Sequence, residues 1–139
     1  MSARRGRGIA TLIALAASTS LIAAAASADA VDPLHTVINP RAKLADSGRM
    51  VRVTGQVRCA TCSRIVLAVT VSQRSGGLAQ GGVRCVCRAA TERWLVTARV
   101  RQATKLRSGR ARICTWVIGQ NADRKPIDAF QWCRNVTLA

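Results

Sequence analysis

The sequence predicts an all-β domain, an antiparallel β-sandwich of six or seven short strands stapled by disulfides. Three observations carry this. Apolar and polar residues alternate on a two-residue period through most of residues 49–139. Short runs rich in Gly, Ser and Asn separate the alternating stretches. Six cysteines, an even number, lie in the same region. No window beyond residue 28 sustains a helical period, and none reads as a later membrane span.

The N-terminus comes first. Arg4, Arg5 and Arg7 precede an apolar stretch from Ile9 to Ala26, and Ala26-Ser27-Ala28 supplies a small-residue cleavage pattern. Residues 1–28 therefore read as a signal peptide. Residues 29–48 follow as a leader and a first edge strand, with Thr36 to Leu44 interrupted by Pro40. Residues 49–139 form the sandwich domain. The expected location is extracellular or in the cell envelope.

The strands then follow in order. In Arg49 to Cys59, Val51, Val53, Val57 and Cys59 share one face with Gly55, and Arg52, Thr54, Gln56 and Arg58 share the other. That is a half-buried strand. Arg64 to Gln73 is almost wholly apolar or β-branched and reads as a central strand. Ser75 to Gly82, SGGLAQGG, reads as a turn, and Val83 to Arg88 as a short return strand. Arg93 to Gln102 turns Trp94, Val96, Ala98 and Val100 inward. After a turn at Lys105 to Gly109, Ala111 to Gly119 and Ile127 to Leu138 form a final hairpin around a polar loop. Centring that loop between Asp123 and Arg124 sets Cys114 opposite Cys133, Trp116 opposite Gln131 and Val117 opposite Phe130. Directly opposed cysteines lie within bridging distance, so Cys114–Cys133 is expected as a disulfide.

The other four cysteines form a C-x-x-C, Cys59 and Cys62, and a C-x-C, Cys85 and Cys87. They are expected to pair between the two groups. Cys59–Cys87 with Cys62–Cys85 is the first choice, and the opposite pairing stays open. A four-thiolate zinc clasp is the alternative. The C-x-C spacing splays its ligands along a strand, and export leads to an oxidising compartment, so disulfides are favoured and no metal is expected. A thioredoxin-like role would need Cys59 at a helix N-terminus, and here a strand precedes it.

With strands and cysteines in place, the succession VRVTGQVRC, VLAVTVSQRSGGLAQGG, RWLVTARV, RICTWV and FQWCRNVTL resembles small exported actinobacterial proteins. These look like immunoglobulin-like sandwiches without established activity. The resemblance covers roughly Arg49 to Leu138 and implies an antiparallel immunoglobulin-like β-sandwich and an exported compartment, not a reaction. The chain departs from antibody-type domains in having no Trp between Cys59 and Trp94 and no Tyr at all.

The charge points toward partners rather than catalysis. The formal net charge is +16, and all but three of the basic residues are Arg. A field of that sign attracts polyanions. The densest stretch is RVRQATKLRSGRAR, where Arg99, Arg101, Lys105, Arg107, Arg110 and Arg112 surround one turn. Guanidinium forks suit phosphate, sulfate and carboxylate groups. The bland reading is a solvated strand-turn-strand in an Arg-rich chain. With no Tyr, stacking platforms for single-stranded nucleic acid are lacking, and Trp94, Phe130 and Trp132 are expected in the core. Trp116 is expected beside the Cys114–Cys133 bridge.

For catalysis the chain offers one His, His35 in the leader, and six scattered acids without a paired motif. Asn121, Asp123 and Asp128 are oxygen donors near one loop, but Arg124 and Lys125 oppose a cation there. The expectation is therefore a non-enzymatic exported binding or structural module with no cofactor. Its expected partner is an anionic envelope polymer or an extracellular protein, with no specific nucleic acid. The alternative is an extracellular inhibitor or cationic toxin-like protein using Ser75–Gly82 and Gln120–Pro126 as contact loops.

Overall fold

A computed structural model describes residues 37–59 and 62–139. The expected signal peptide, His35, Asp29 and Asp32 lie outside the described residues. Among the described residues eight strands follow one another: β1 (Val37–Ile38), β2 (Arg41–Ala45), β3 (Met50–Arg58), β4 (Arg64–Ser72), β5 (Leu78–Val86), β6 (Thr91–Val100), β7 (Gly109–Gln120) and β8 (Pro126–Leu138). A one-turn 3-10 segment, Asp46–Gly48, joins β2 to β3.

The alternation seen in the sequence is the alternation of burial. Val51, Val53 and Val57 of β3 are buried, as are Ile65, Leu67, Val69 and Val71 of β4. Trp94, Val96, Ala98 and Val100 of β6 face them, with Ala111, Ile113 and Val117 of β7. β-Branched side chains suit these half-buried strands because they pack well on a pleated surface. Full burial of each large aliphatic side chain stabilises the fold by about 1.5–3 kcal/mol relative to exposure.

The strands close on themselves. The order is β3-β2-β8-β7-β4-β5-β6, and β6 pairs back to β3 from Met50–Arg99 to Arg58–Thr91. The result is a closed seven-strand barrel with β1 as an accessory strand, not two open sheets. This corrects the expected sandwich. The cause lies in β5. It pairs with β4 along its whole length, from Arg64–Val86 to Ser72–Leu78, but with β6 only at Ala79–Val100 and Gln80–Arg99. One strand thus bridges both halves of the molecule. A small barrel of this kind is filled by its own side chains.

Of the stretch Ser75–Gly82, expected as a turn, only residues 75–77 lie in the connection, which runs over 73–77, and Leu78–Gly82 belong to β5. Gly81 is not a turn residue. A Cβ there would press on the Thr97 carbonyl and the Ala98 backbone. Glycine permits the close approach of β5 to β6 just where the two part.

One pairing is parallel, contrary to the all-antiparallel expectation: Arg41 and Ala42 of β2 lie beside Thr137 and Leu138 of β8. The interruption expected at Pro40 produces it. β1 and β2 occupy the same edge of β3, at Val37–Gln56 and Lys43–Arg52. Between them the chain steps across to β8, where the Pro40 carbonyl accepts the Thr137 N–H at 2.9 Å. The final hairpin has the register read from the sequence, with Cys114 opposite Cys133, Trp116 opposite Gln131 and Val117 opposite Phe130.

Trp132, expected in the core, is 42% exposed. It shares the inward register of Thr115. However, among the described residues β8 pairs on its other edge only at Thr137 and Leu138, so that part of the wall is open. Arg134 reaches across the same gap and donates to the Ile38 carbonyl at 2.6 Å.

Candidate functional site

Antiparallel β4 and β7 fix which connections share an end of the barrel. Ser72 pairs with Arg112, and Arg64 with Gln120. The Asp46–Gly48 turn, residues 73–77 and residues 101–108 therefore meet at one end. Cys59, Cys62 and Ser63, the Cys87–Ala90 connection and the 121–125 loop meet at the other. One end is rich in arginine, and the other holds three of the cysteines. Ser75–Gly82 and Gln120–Pro126, the contact loops of the inhibitor reading, lie at opposite ends.

At the arginine end, the 101–108 segment carries the basic run. Leu106 anchors it. Its side chain is buried, and its N–H donates to the Gly48 carbonyl at 2.9 Å. Gln73, just after β4, clamps the neighbouring residues. Its Nε2 donates to the Arg107 carbonyl at 2.7 Å, and its Oε1 accepts the Arg107 N–H at 2.9 Å. An apolar plug and an amide clamp thus fix a segment that composition alone reads as a free turn.

The six basic residues do not form one cluster. Arg110 and Arg112 point outward from β7, where Arg112 lies between Ser72 of β4 and Asn135 of β8. Arg74 joins them, and with Ser72, Gln73 and Asn135 these arginines line a cleft of about 560 Å³. Lys105 and Arg107 sit around the Leu106 plug beside Ser47. Arg99 and Arg101 lie on and just after β6, and two strands, β5 and β4, separate β6 from β7. Sequence proximity grouped residues that the barrel divides, and it missed Arg74 and Asn135. The signal for them was a register argument: a β4–β7–β8 order would have placed both beside Arg112.

At the other end, Cys59 is bonded to Cys87, with Cα atoms 5.9 Å apart. Cys114 is bonded to Cys133 on the outer face of the final hairpin. Both bridges were expected. The third, Cys62–Cys85, is not formed, and both residues are thiols. The β4–β5 ladder explains this. It sets Cys85 opposite Ile65, and the Cys87 N–H extends the ladder by donating to Ser63 at 2.9 Å. Cys62 continues past Ser63, so it and Cys85 are offset by roughly 10 Å along the strands. That exceeds the reach of a disulfide.

Cys62 instead points at the existing bridge, with its Sγ 3.7 Å from Cys87 Sγ. The sulfurs of Cys59, Cys62 and Cys87 all lie within 4.8 Å of one another. Three sulfurs at such spacing are a soft-metal set only when all are thiolates, and here two are joined. Burial pushes the Cys62 thiol above its ordinary range, and the Asp128 carboxylate adds to the effect against a backbone hydrogen bond that lowers it. Burial also raises Cys85, with Glu92 assisting.

Two of the three oxygen donors in and beside the 121–125 loop, Asn121 and Asp128, are engaged locally. Asn121 Oδ1 accepts the N–H groups of Asp123 and Lys125, both at 3.0 Å, and Asp128 Oδ1 accepts Ala129 N–H at 2.8 Å. They close a turn rather than converge on a point. Trp116 is 48% exposed, two residues along the outer face from Cys114. Among the described residues no helix is long and apolar enough to cross a membrane. No protein-family model matches the chain, and no curated protein shows significant similarity to it.

Proposed function

We propose that this chain is an exported, non-catalytic binding domain that takes anionic groups in the cleft of Arg74, Arg110 and Arg112. The observation that carries the reading is that three arginines from two chain segments line one cleft, with Ser72 and Asn135 as neutral polar neighbours. Arginine forks hold phosphate, sulfate and carboxylate in bidentate fashion. The ligand class is a polyanion of the cell envelope or an acidic protein surface. Once residues 1–28 are removed, the chain keeps a net charge of +13, which draws such partners in, and the cleft gives them a place to seat.

Export is part of the same proposal. The leader pattern supports it, as do the two disulfides, which persist in oxidising compartments. An immunoglobulin-like ancestry of the kind seen in small exported domains is supported by strand order. β3-β6-β5 and β4-β7-β8 follow the order of the two sheets of such a sandwich, with the β4–β5 ladder and the parallel β2–β8 pair closing the sides.

The test is retention on immobilised heparin at rising salt. The Arg74→Ala/Arg110→Ala/Arg112→Ala variant is compared with Arg52→Ala/Arg84→Ala/Arg93→Ala, which removes the same charge from other exposed positions. Each cleft arginine is expected to contribute about 1 kcal/mol, near fivefold in affinity, at a solvated site. The cleft variant should elute at clearly lower salt than the control. Equal elution of the two variants would reduce the binding to bulk charge and overturn the reading.

A further inference from the structure

We propose that Cys59, Cys62 and Cys87 form a thiol–disulfide exchange site, in which Cys62 moves the bridge from Cys59–Cys87 to Cys62–Cys87 and releases Cys59 as a thiol. The inference stands apart from the arginine cleft, which lies at the other end of the barrel.

The geometry is that of a poised nucleophile. Cys62 Sγ lies 3.7 Å from Cys87 Sγ, while Cys87 is already bonded to Cys59. Backbone hydrogen bonds hold Cys87 and Cys59 in place. Cys87 N–H donates to the Ser63 carbonyl at 2.9 Å, next to Cys62, and Cys59 N–H donates to the Ala90 carbonyl at 2.9 Å. The C-x-x-C spacing brings two sulfurs to one partner. The ladder sets Cys85 opposite Ile65, three residues along from Cys62.

The step balances internally. Cys62 loses its proton to solvent, and its thiolate attacks Cys87 Sγ. The Cys62–Cys87 bond forms as the Cys59–Cys87 bond breaks, and Cys59 leaves as a thiolate that takes up a proton. One disulfide and one thiol are present before and after, so neither oxidant nor reductant is consumed. The consequence is a change of exposure. Cys62 is 7% exposed, whereas Cys59 is only partly buried. Exchange converts a covered thiol into one that an outside thiol reagent reaches. Since the thiolate is the attacking species, and burial with Asp128 holds Cys62 protonated, the step accelerates with alkalinity.

The test is non-reducing peptide mapping of the wild-type protein after timed incubation at neutral and mildly alkaline pH, followed by acid quench and alkylation. Trypsin leaves Cys59 and Cys62 on one peptide, between Arg58 and Arg64, so fragmentation assigns the label. Label on Cys59 should rise several-fold with alkaline incubation as label on Cys62 falls. Cys62→Ser should abolish label on Cys59, and Cys59→Ser should show a Cys62–Cys87 bond. Absence of Cys59 label in the wild type after prolonged alkaline incubation overturns the proposal. So does a native Cys62–Cys85 bond, or a zinc ion held by these sulfurs in place of the bridge. The wild-type time course decides even if a variant fails to fold.

Discussion

Replacing both Cys114 and Cys133 by Ala removes the outer bridge of the final hairpin. The two residues are directly opposed, and β7 and β8 pair on both sides of them, from Gly109–Leu138 to Ile118–Ala129. The native hairpin therefore keeps its shape without the bond. Both side chains are half-buried on the outer face, so truncation opens no core cavity. The loss falls on the unfolded chain, which regains the freedom of a loop spanning a sequence separation of 19. In the chain-entropy treatment a loop of that length corresponds to about 3 kcal/mol at room temperature. For a domain of this size, that lowers the thermal midpoint by roughly 10–20 °C. Urea unfolding followed by tryptophan fluorescence measures it directly. The variant should unfold in one transition at lower urea, with native strand content by circular dichroism. A change below about 1 kcal/mol would mean that the bond is absent or that the unfolded chain is already compact there, and the reasoning would fail.

Two further substitutions probe the barrel. Gly55→Ala should destabilise by about 1–3 kcal/mol, because a Cβ there meets the Val37 carbonyl and the buried Trp94 indole. The effect should shrink in a Trp94→Leu background in denaturant titrations, and an unchanged or raised midpoint in the wild-type background would refute the close approach of β1, β3 and β6. Leu106→Ala should cost about 2–3 kcal/mol, since Leu106 is the buried anchor of residues 101–108. It should also make the amides of that segment exchange faster with solvent. Protection equal to the wild type would mean that the Gln73 clamp alone holds the segment.

Much of this molecule is local, and local features are legible in a sequence. The two-residue alternation indicated which side chains of β3 and β6 face inward, because a strand offers no other period. The register of the final hairpin was readable around its cysteines, since the loop centre sets Cys114 against Cys133, although the pairing shifts between Gly119 and Gln120 at the loop end. The interruption at Pro40 was equally plain, because Pro lacks the N–H a ladder needs.

Tertiary structure decided what depends on which strands become neighbours. Alternation says that β5 has a buried face but not that it pairs fully with β4 and briefly with β6, and that choice makes a barrel of two half-sheets. The pairing also moved Gly81 from a turn into a strand. At the sites, Arg99 and Arg112 are near in sequence but separated by β5 and β4, whereas Arg74 and Arg112 are distant in sequence and share a cleft. The same ladder set Cys85 opposite Ile65 and brought Cys62 to Cys87. Composition and spacing determined the strands, the charge and the pool of cysteines. Side-chain partners were settled by long-range register, which no single segment of the chain contains.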